Sequence, residues 1–159
     1  MNAYLLALRH TPAILERILD DVPPARYAER VGEDRFTLLE MVCHIADFED
    51  IYLERMRAAL KQDGVEVPDV DEGQRAIDKR YDCRDLHKEL EVFSNRRRDT
   101  ISFLEELTEE QLGKKFTKEG IGTVTIAQYL AILSGHDIYH IEQATWYLKA
   151  VHARVEALV

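Results

Sequence analysis

Apolar residues recur at helical spacing in four long stretches of this chain. Leu5, Leu8, Ile14, Leu15 and Ile18 mark the first, expected from Ala3 to Leu19, and Asp20-Asp21-Val22-Pro23-Pro24 ends it. The second opens at Thr37, where Thr37-Leu38-Leu39-Glu40 fits a capping box, and carries Met41, Ile45, Phe48, Tyr52, Met56 and Leu60 to about Gln62. A polar loop with Gly64, Pro68 and Gly73 follows, Asp63 to Lys79. The third helix is expected from Arg84 to Leu107, with Leu86, Leu90, Phe93, Ile101 and Leu104 inward. Thr108-Glu109-Glu110-Gln111 is a second box, which reads as a short extra turn ending near Lys114. Gly120-Ile121-Gly122 and the β-branched Thr123-Val124 read as extended. Thr125-Ile126-Ala127-Gln128 is a third box, opening a fourth helix expected to reach Ala153. Four amphipathic helices joined this way predict an all-α four-helix bundle, one domain over residues 1–159.

One helix face carries chemistry. His136 and His140 lie four residues apart, one turn along the fourth helix, with Cβ atoms roughly 6 Å apart. Leu130, Leu133, Ala144, Tyr147 and Val151 fall on or beside the same stripe. Inward-facing imidazoles need partners, because unpaired buried polar groups are costly. His44, beside Met41 and Phe48 on the second helix, meets them if helices two and four are neighbours. Three neutral imidazoles would then leave coordination positions open, as catalytic zinc sites do. Spacing alone leaves open both this metal site and ordinary hydrogen-bonded core histidines. The metalloprotease motif is a poor fit, because Asp137 stands where that motif carries its general-base glutamate.

Charge and cysteine usage narrow the class. Thirty acidic against 21 basic residues give a net charge of −9, which argues against nucleic acid as a partner. Arg96-Arg97-Arg98 fans around its helix and cannot form one patch; the expectation is a solvated face, with Arg97 the one able to turn inward. Cys43 and Cys83 lie far apart with no CxxC, and are read as reduced thiols of a cytoplasmic protein. The first residues lack a basic leader and read as the start of a helix. No stretch approaches the ~20 apolar residues of a bilayer span. Neither nucleic acid nor membrane is expected as a partner.

Phe36-Thr37-Leu38-Leu39-Glu40-Met41-Val42-Cys43-His44-Ile45-Ala46-Asp47-Phe48-Glu49 is a capped helix with a histidine and an acidic residue five positions on. Thr123-Val124-Thr125-Ile126-Ala127-Gln128-Tyr129-Leu130 leads to His136, His140 and Gln143. With these two marks the chain resembles, over nearly its whole length, the DinB-like four-helix-bundle proteins, the group that includes YfiT-type candidate metal-dependent hydrolases. The resemblance implies an up-down-down-up bundle, homodimers, and His44, His136 and His140 as ligands of one divalent transition ion per chain, zinc or nickel. Family activities include transfer of low-molecular-weight thiols and a mycothiol-dependent isomerisation, so a thiol is an expected co-substrate beside a small-molecule substrate. Metal-dependent hydrolysis and a non-catalytic metal-binding bundle remain as alternatives.

Other residues carry lesser expectations. Gln143, one turn past His140, is a candidate to orient a ligand. Glu49 is a weak catalytic candidate, or a partner for Arg97, and Asp47 and Asp137 are weaker acid–base candidates. Cys43, about 100° around the helix from His44, should miss the metal. Tyr52, Tyr139 and Trp146 read as packing; His10, His87 and His152 read as solvent-facing. Tyr4, Tyr129 and Trp146 look like apolar surface beyond what one bundle covers, which favours a homodimer.

Overall fold

All three threonine boxes form. The side chains of Thr37, Thr108 and Thr125 accept from the backbone N–H three residues on, and Glu40, Gln111 and Gln128 return the bond. Each such cap is worth about 1 kcal/mol. The computed structural model describes residues 2–148. Its helices are α1 (Asn2–Asp20), α2 (Leu38–Lys61), α3 (Glu72–Asp78), α4 (Leu86–Glu105), α5 (Glu109–Leu112) and α6 (Ile126–Thr145). Turns carry the chain from α6 to Leu148. The expected continuation to Ala153, with Val151 and His152, lies outside the described residues.

Four long helices, α1, α2, α4 and α6, make the bundle. Both α1 and α2 pack against α4 and α6, so α1 stands diagonally across from α2. Two apolar clusters fix the directions. One joins Leu5 and Leu8 of α1 and Leu130 of α6, near the starts of those helices, to Met56 and Leu104 near the ends of α2 and α4. The other joins Leu15 and Leu19, late in α1, and Ala144, late in α6, to Leu38 and Leu86 at the starts of α2 and α4. Thus α1 and α6 run one way and α2 and α4 the other, the up-down-down-up order. Between the clusters lies a layer of buried charge built on Arg97, Glu49 and Asp137.

Because α2 and α4 are parallel, the chain must cross back between them. Residues 62–85 do this, and they are more ordered than the expected polar loop. They contain β1 (Val65–Glu66) and α3, which Asp71 caps by accepting from Gln74 N–H. Asp71-Glu72-Gly73-Gln74 has the spacing of a cap followed by a helix, so the signal was present. Asp47 of α2 holds the crossover in place: its carboxylate pairs with Arg75 and accepts from the Tyr81 hydroxyl at 2.8 Å.

The segment read as extended is a hairpin, β2 (Lys115–Lys118) with β3 (Gly122–Thr125), and β1 joins β2 in parallel. Gly120 and Gly122 turn it at φ 79° and 81°, where a side chain would be strained. Phe116 of β2 is fully buried, edge-on to Tyr129 at 4.7 Å between ring centroids.

Two surface expectations are corrected, and among the three arginines the inward turn falls to Arg97. Tyr129 is buried, because the hairpin covers it. Ile14, expected inward, is exposed, while Thr11 takes the inward position and bonds Asp137. Arg97 is wholly inside, whereas Arg96 reaches Asp50 and the Ala46 carbonyl at the surface. His10 and His87 are exposed as expected.

Candidate metal centre

Helices α2 and α6 run antiparallel and in contact, which brings the three histidines together. His136 Nε2 stands 3.0 Å from His44 Nε2 and 3.0 Å from His140 Nε2. Two ligand nitrogens about 2.0–2.1 Å from one ion stand roughly 3.0–3.4 Å apart. One ligand atom from each of the three residues falls within 4.8 Å of the others, a set that could hold a metal ion.

Each ring is positioned differently. His44 is nearly fully buried between Phe36 and Phe48, at 5.3 and 4.2 Å between centroids. His136 lies edge-on to Tyr52 at 5.5 Å. His140 is oriented by a hydrogen bond: Nδ1 lies 2.8 Å from Gln143 Oε1. An amide oxygen can only accept, so Nδ1 carries the proton and Nε2 presents its lone pair toward the other rings. Burial lowers the His44 pKa to about 3, assisted by the charge of His140, and lowers that of His140 to about 4. Burial, then the other two histidines, pushes His136 well below the usual range. Three neutral, converging imidazoles are the donor set that a divalent transition ion requires.

The carboxylates near these histidines in sequence are spent elsewhere. Asp137, next to His136, points about a quarter-turn away and accepts from Arg97 at 2.5 and 3.0 Å and from the Thr11 hydroxyl at 2.5 Å. Glu49 binds Arg97 at 2.6 Å through one oxygen and Thr100 at 2.9 Å through the other. Glu49 is thus the partner of Arg97 anticipated from the sequence, with both of its oxygens engaged. Asp47 is held by Arg75 and Tyr81. Cys43 turns its thiol toward the Tyr81 carbonyl, and burial pushes its pKa up to about 12.

His136 and His140 open onto a cleft, with His44 buried behind them. A pocket of about 380 Å³ is lined by His136, His140, Gln143, Tyr139, Arg35 and Glu72 among others. Glu72 and Arg35 were not singled out in the sequence. Glu72 begins α3, and only the crossover from α2 to α4 carries it to this wall. Partial burial, and then neighbouring Asp69, raise its pKa. Arg35 donates to the Tyr139 hydroxyl and stacks over Trp146 at 5.7 Å, so the two aromatics hold Arg35 in place on the cleft wall.

Comparison with known proteins agrees with this picture. Residues 7–144 match the model of the DinB superfamily. A candidate metal-dependent hydrolase of Oceanobacillus iheyensis is 30% identical over 111 residues, 69% of this chain; the chain spans 62% of that relative's length. Two solved structures share the fold. YfiT from Bacillus subtilis, described as a candidate metal-dependent hydrolase with an unusual four-helix bundle topology, superimposes with TM-score 0.84 at 17% identity, covering 98% of this chain and 87% of YfiT. The DinB-like protein YjoA from Bacillus subtilis gives TM-score 0.61 at 16% identity, covering 94% and 92%.

Proposed function

The chain belongs to the DinB superfamily, and from that membership we propose that it is a metal-dependent enzyme acting on a small molecule. The observation that carries this is the convergence of three neutral imidazoles, from His44, His136 and His140, the last two on the wall of an open cleft. The ion they would hold is zinc or nickel, since imidazole suits both. When bound, such an ion lowers the pKa of a coordinated water or thiol toward neutrality.

Within that class the reading is transfer of a low-molecular-weight thiol to a small electrophile. Three neutral ligands leave the ion's +2 charge unbalanced, which favours an anionic fourth partner, and thiolate suits zinc. Glu72 supplies the proton acceptor: it shares the cleft wall with His136, and its raised pKa suits it to the task. The thiol gives its proton to Glu72, its sulfur bonds to the electrophilic carbon, and the leaving group departs with its electron pair. Gln143 keeps His140 in one tautomer, and Phe36 and Phe48 keep water from the buried side of His44.

Hydrolysis is the second reading. It is supported by the descriptions of the Oceanobacillus relative and YfiT as candidate metal-dependent hydrolases, and by Glu72, which is equally able to take a proton from water. The deciding experiment gives the metal-loaded protein a panel of thiols, including bacillithiol, mycothiol and glutathione, with a generic electrophile, and in parallel a panel of esters and amides. Thiol conjugation that needs the metal and is lost in His44→Ala supports transfer. Ester or amide cleavage with no acceleration by any thiol overturns transfer in favour of hydrolysis.

A further inference from the structure

Arg55 of α2 is a buried cation whose direct hydrogen bonds all go to neutral groups. Its residue surface is only 5% exposed. Nη1 donates to the Tyr129 hydroxyl at 3.1 Å and Nη2 to the Pro68 carbonyl at 3.2 Å. Among the described residues no carboxylate forms an ion pair with it. A guanidinium has five N–H donors, and these bonds use two. Burying a charge is costly unless something pairs it.

The side chain lines a pocket of about 180 Å³ with Tyr52, Phe48 and Tyr129, and His136 forms part of the same wall. His136 and Glu72 also line the larger pocket described above, so the two spaces adjoin across these residues. Two carboxylates lie along the smaller one. Asp69 pairs with Lys118, and the charge of Arg55 is felt by both Asp69 and Glu72, though among the described residues neither carboxylate bonds the guanidinium directly. Arg55 lies eleven residues past His44 on α2, and Tyr129, which it touches, lies seven before His136 on α6, so the anchor stands roughly 10–16 Å along the bundle from the histidines.

We infer that the pocket around Arg55 is an anion-anchoring subsite of the cleft, which takes a small molecule carrying a carboxylate remote from its reacting atom. This rests on the reading of the three-histidine site as a catalytic metal centre. A carboxylate matches the fork of the guanidinium and satisfies its remaining donors in a charge-assisted pair. Phe48, Tyr52 and Tyr129 give the connecting part of the molecule an aromatic wall. The carboxylate belongs to either the thiol or the electrophile, and the chemistry of the anchor is the same for both.

The test uses cobalt-loaded protein and ω-mercaptoalkanoic acids of increasing chain length, with binding read from the sulfur-to-cobalt absorption band. The matching ω-mercaptoalcohols are the neutral control. ω-Chloroalkanoic acids, read as competitors, form the electrophile arm. Binding of the acids should exceed that of the alcohols at an intermediate chain length, and Arg55→Gln should remove that advantage, about tenfold or more in Kd. Binding of the alcohols should be unchanged in the variant, which also shows that fold and metal site survive. Arg55→Lys should keep part of the preference. Preference in the mercapto arm assigns the carboxylate to the thiol, and preference in the chloro arm alone assigns it to the electrophile. Loss of acid and alcohol binding together in a folded Arg55→Gln, or no loss of acid binding, overturns the subsite. If cobalt does not bind, the metal reading fails by itself. Stabilisation of the metal-free protein by simple alkanoates, in wild type but not in Arg55→Gln, then still decides the subsite: its presence supports the anchor and its absence overturns it.

Discussion

Arg97 donates to the backbone carbonyl of Leu8 at 3.0 Å. Leu8 lies four residues before Pro12, which stands inside α1 and has no N–H to give. A carbonyl that the helix cannot satisfy is therefore satisfied from α4. The same guanidinium binds Glu49 and Asp137 and stacks on Phe93 at 4.8 Å, so one side chain ties all four bundle helices together.

Removing Arg97 should consequently be severe. Arg97→Ala leaves two buried carboxylates and one carbonyl without their partner, and a cost of about 3–5 kcal/mol is expected in urea unfolding. Arg97→Lys should recover only part, since an ammonium lacks the fork. A loss under about 1 kcal/mol in Arg97→Ala would contradict the assigned role.

Asp47 should make part of the stability acid-sensitive. Burial alone would raise its pKa, but the hydrogen bonds from Arg75 and Tyr81 outweigh it and hold the carboxyl below its ordinary 3.8. The folded pKa is thus below the unfolded one. The contribution is complete above about pH 4 and is lost as pH falls through the lower folded value. Asp47→Asn should be less stable at neutral pH and should lose less on acidification below pH 4 than wild type. Urea midpoints against pH check this, and parallel curves for the two proteins would refute it.

The histidine constellation was readable because helical spacing is rigid. His136 and His140 share a face by arithmetic, and the capped helix beginning at Thr37 set where His44 would point. Arg55 could have been found the same way: Phe48, Tyr52 and Arg55 follow His44 at steps of four, four and three, on one face. Glu72 could not. It sits in a seven-residue helix inside a polar stretch, and its place beside His136 depends on the parallel α2–α4 pairing, which local pattern does not encode. Tyr129 misled because the Phe116 ring that covers it comes from β2, a short strand with little periodicity to reveal it.

Gln143 should matter for affinity rather than folding. It is half-buried, and its side-chain oxygen lies 2.8 Å from His140 Nδ1. Gln143→Leu should weaken metal binding about 10–100-fold, as loss of a ligand-orienting partner does elsewhere, with little change in melting of the metal-free protein. Chelator competition measures the first and calorimetry the second. Unchanged affinity would remove Gln143 from the site.

A homodimer is also expected. Tyr4, Leu6 and Ile14 of α1 and Ile138 of α6 are exposed on neighbouring helices. Light scattering should give twice the 18.4 kDa chain mass at micromolar concentration. A monomer there, with Leu6→Glu behaving identically, would contradict the pairing.

Elemental analysis of the purified protein against the His136→Ala/His140→Ala double variant tests the central claim most directly. About one divalent transition ion per chain is predicted for wild type, and close to none for a double variant that retains its helical circular dichroism. Equal metal content in the two proteins would contradict the assignment of His44, His136 and His140 as the metal centre.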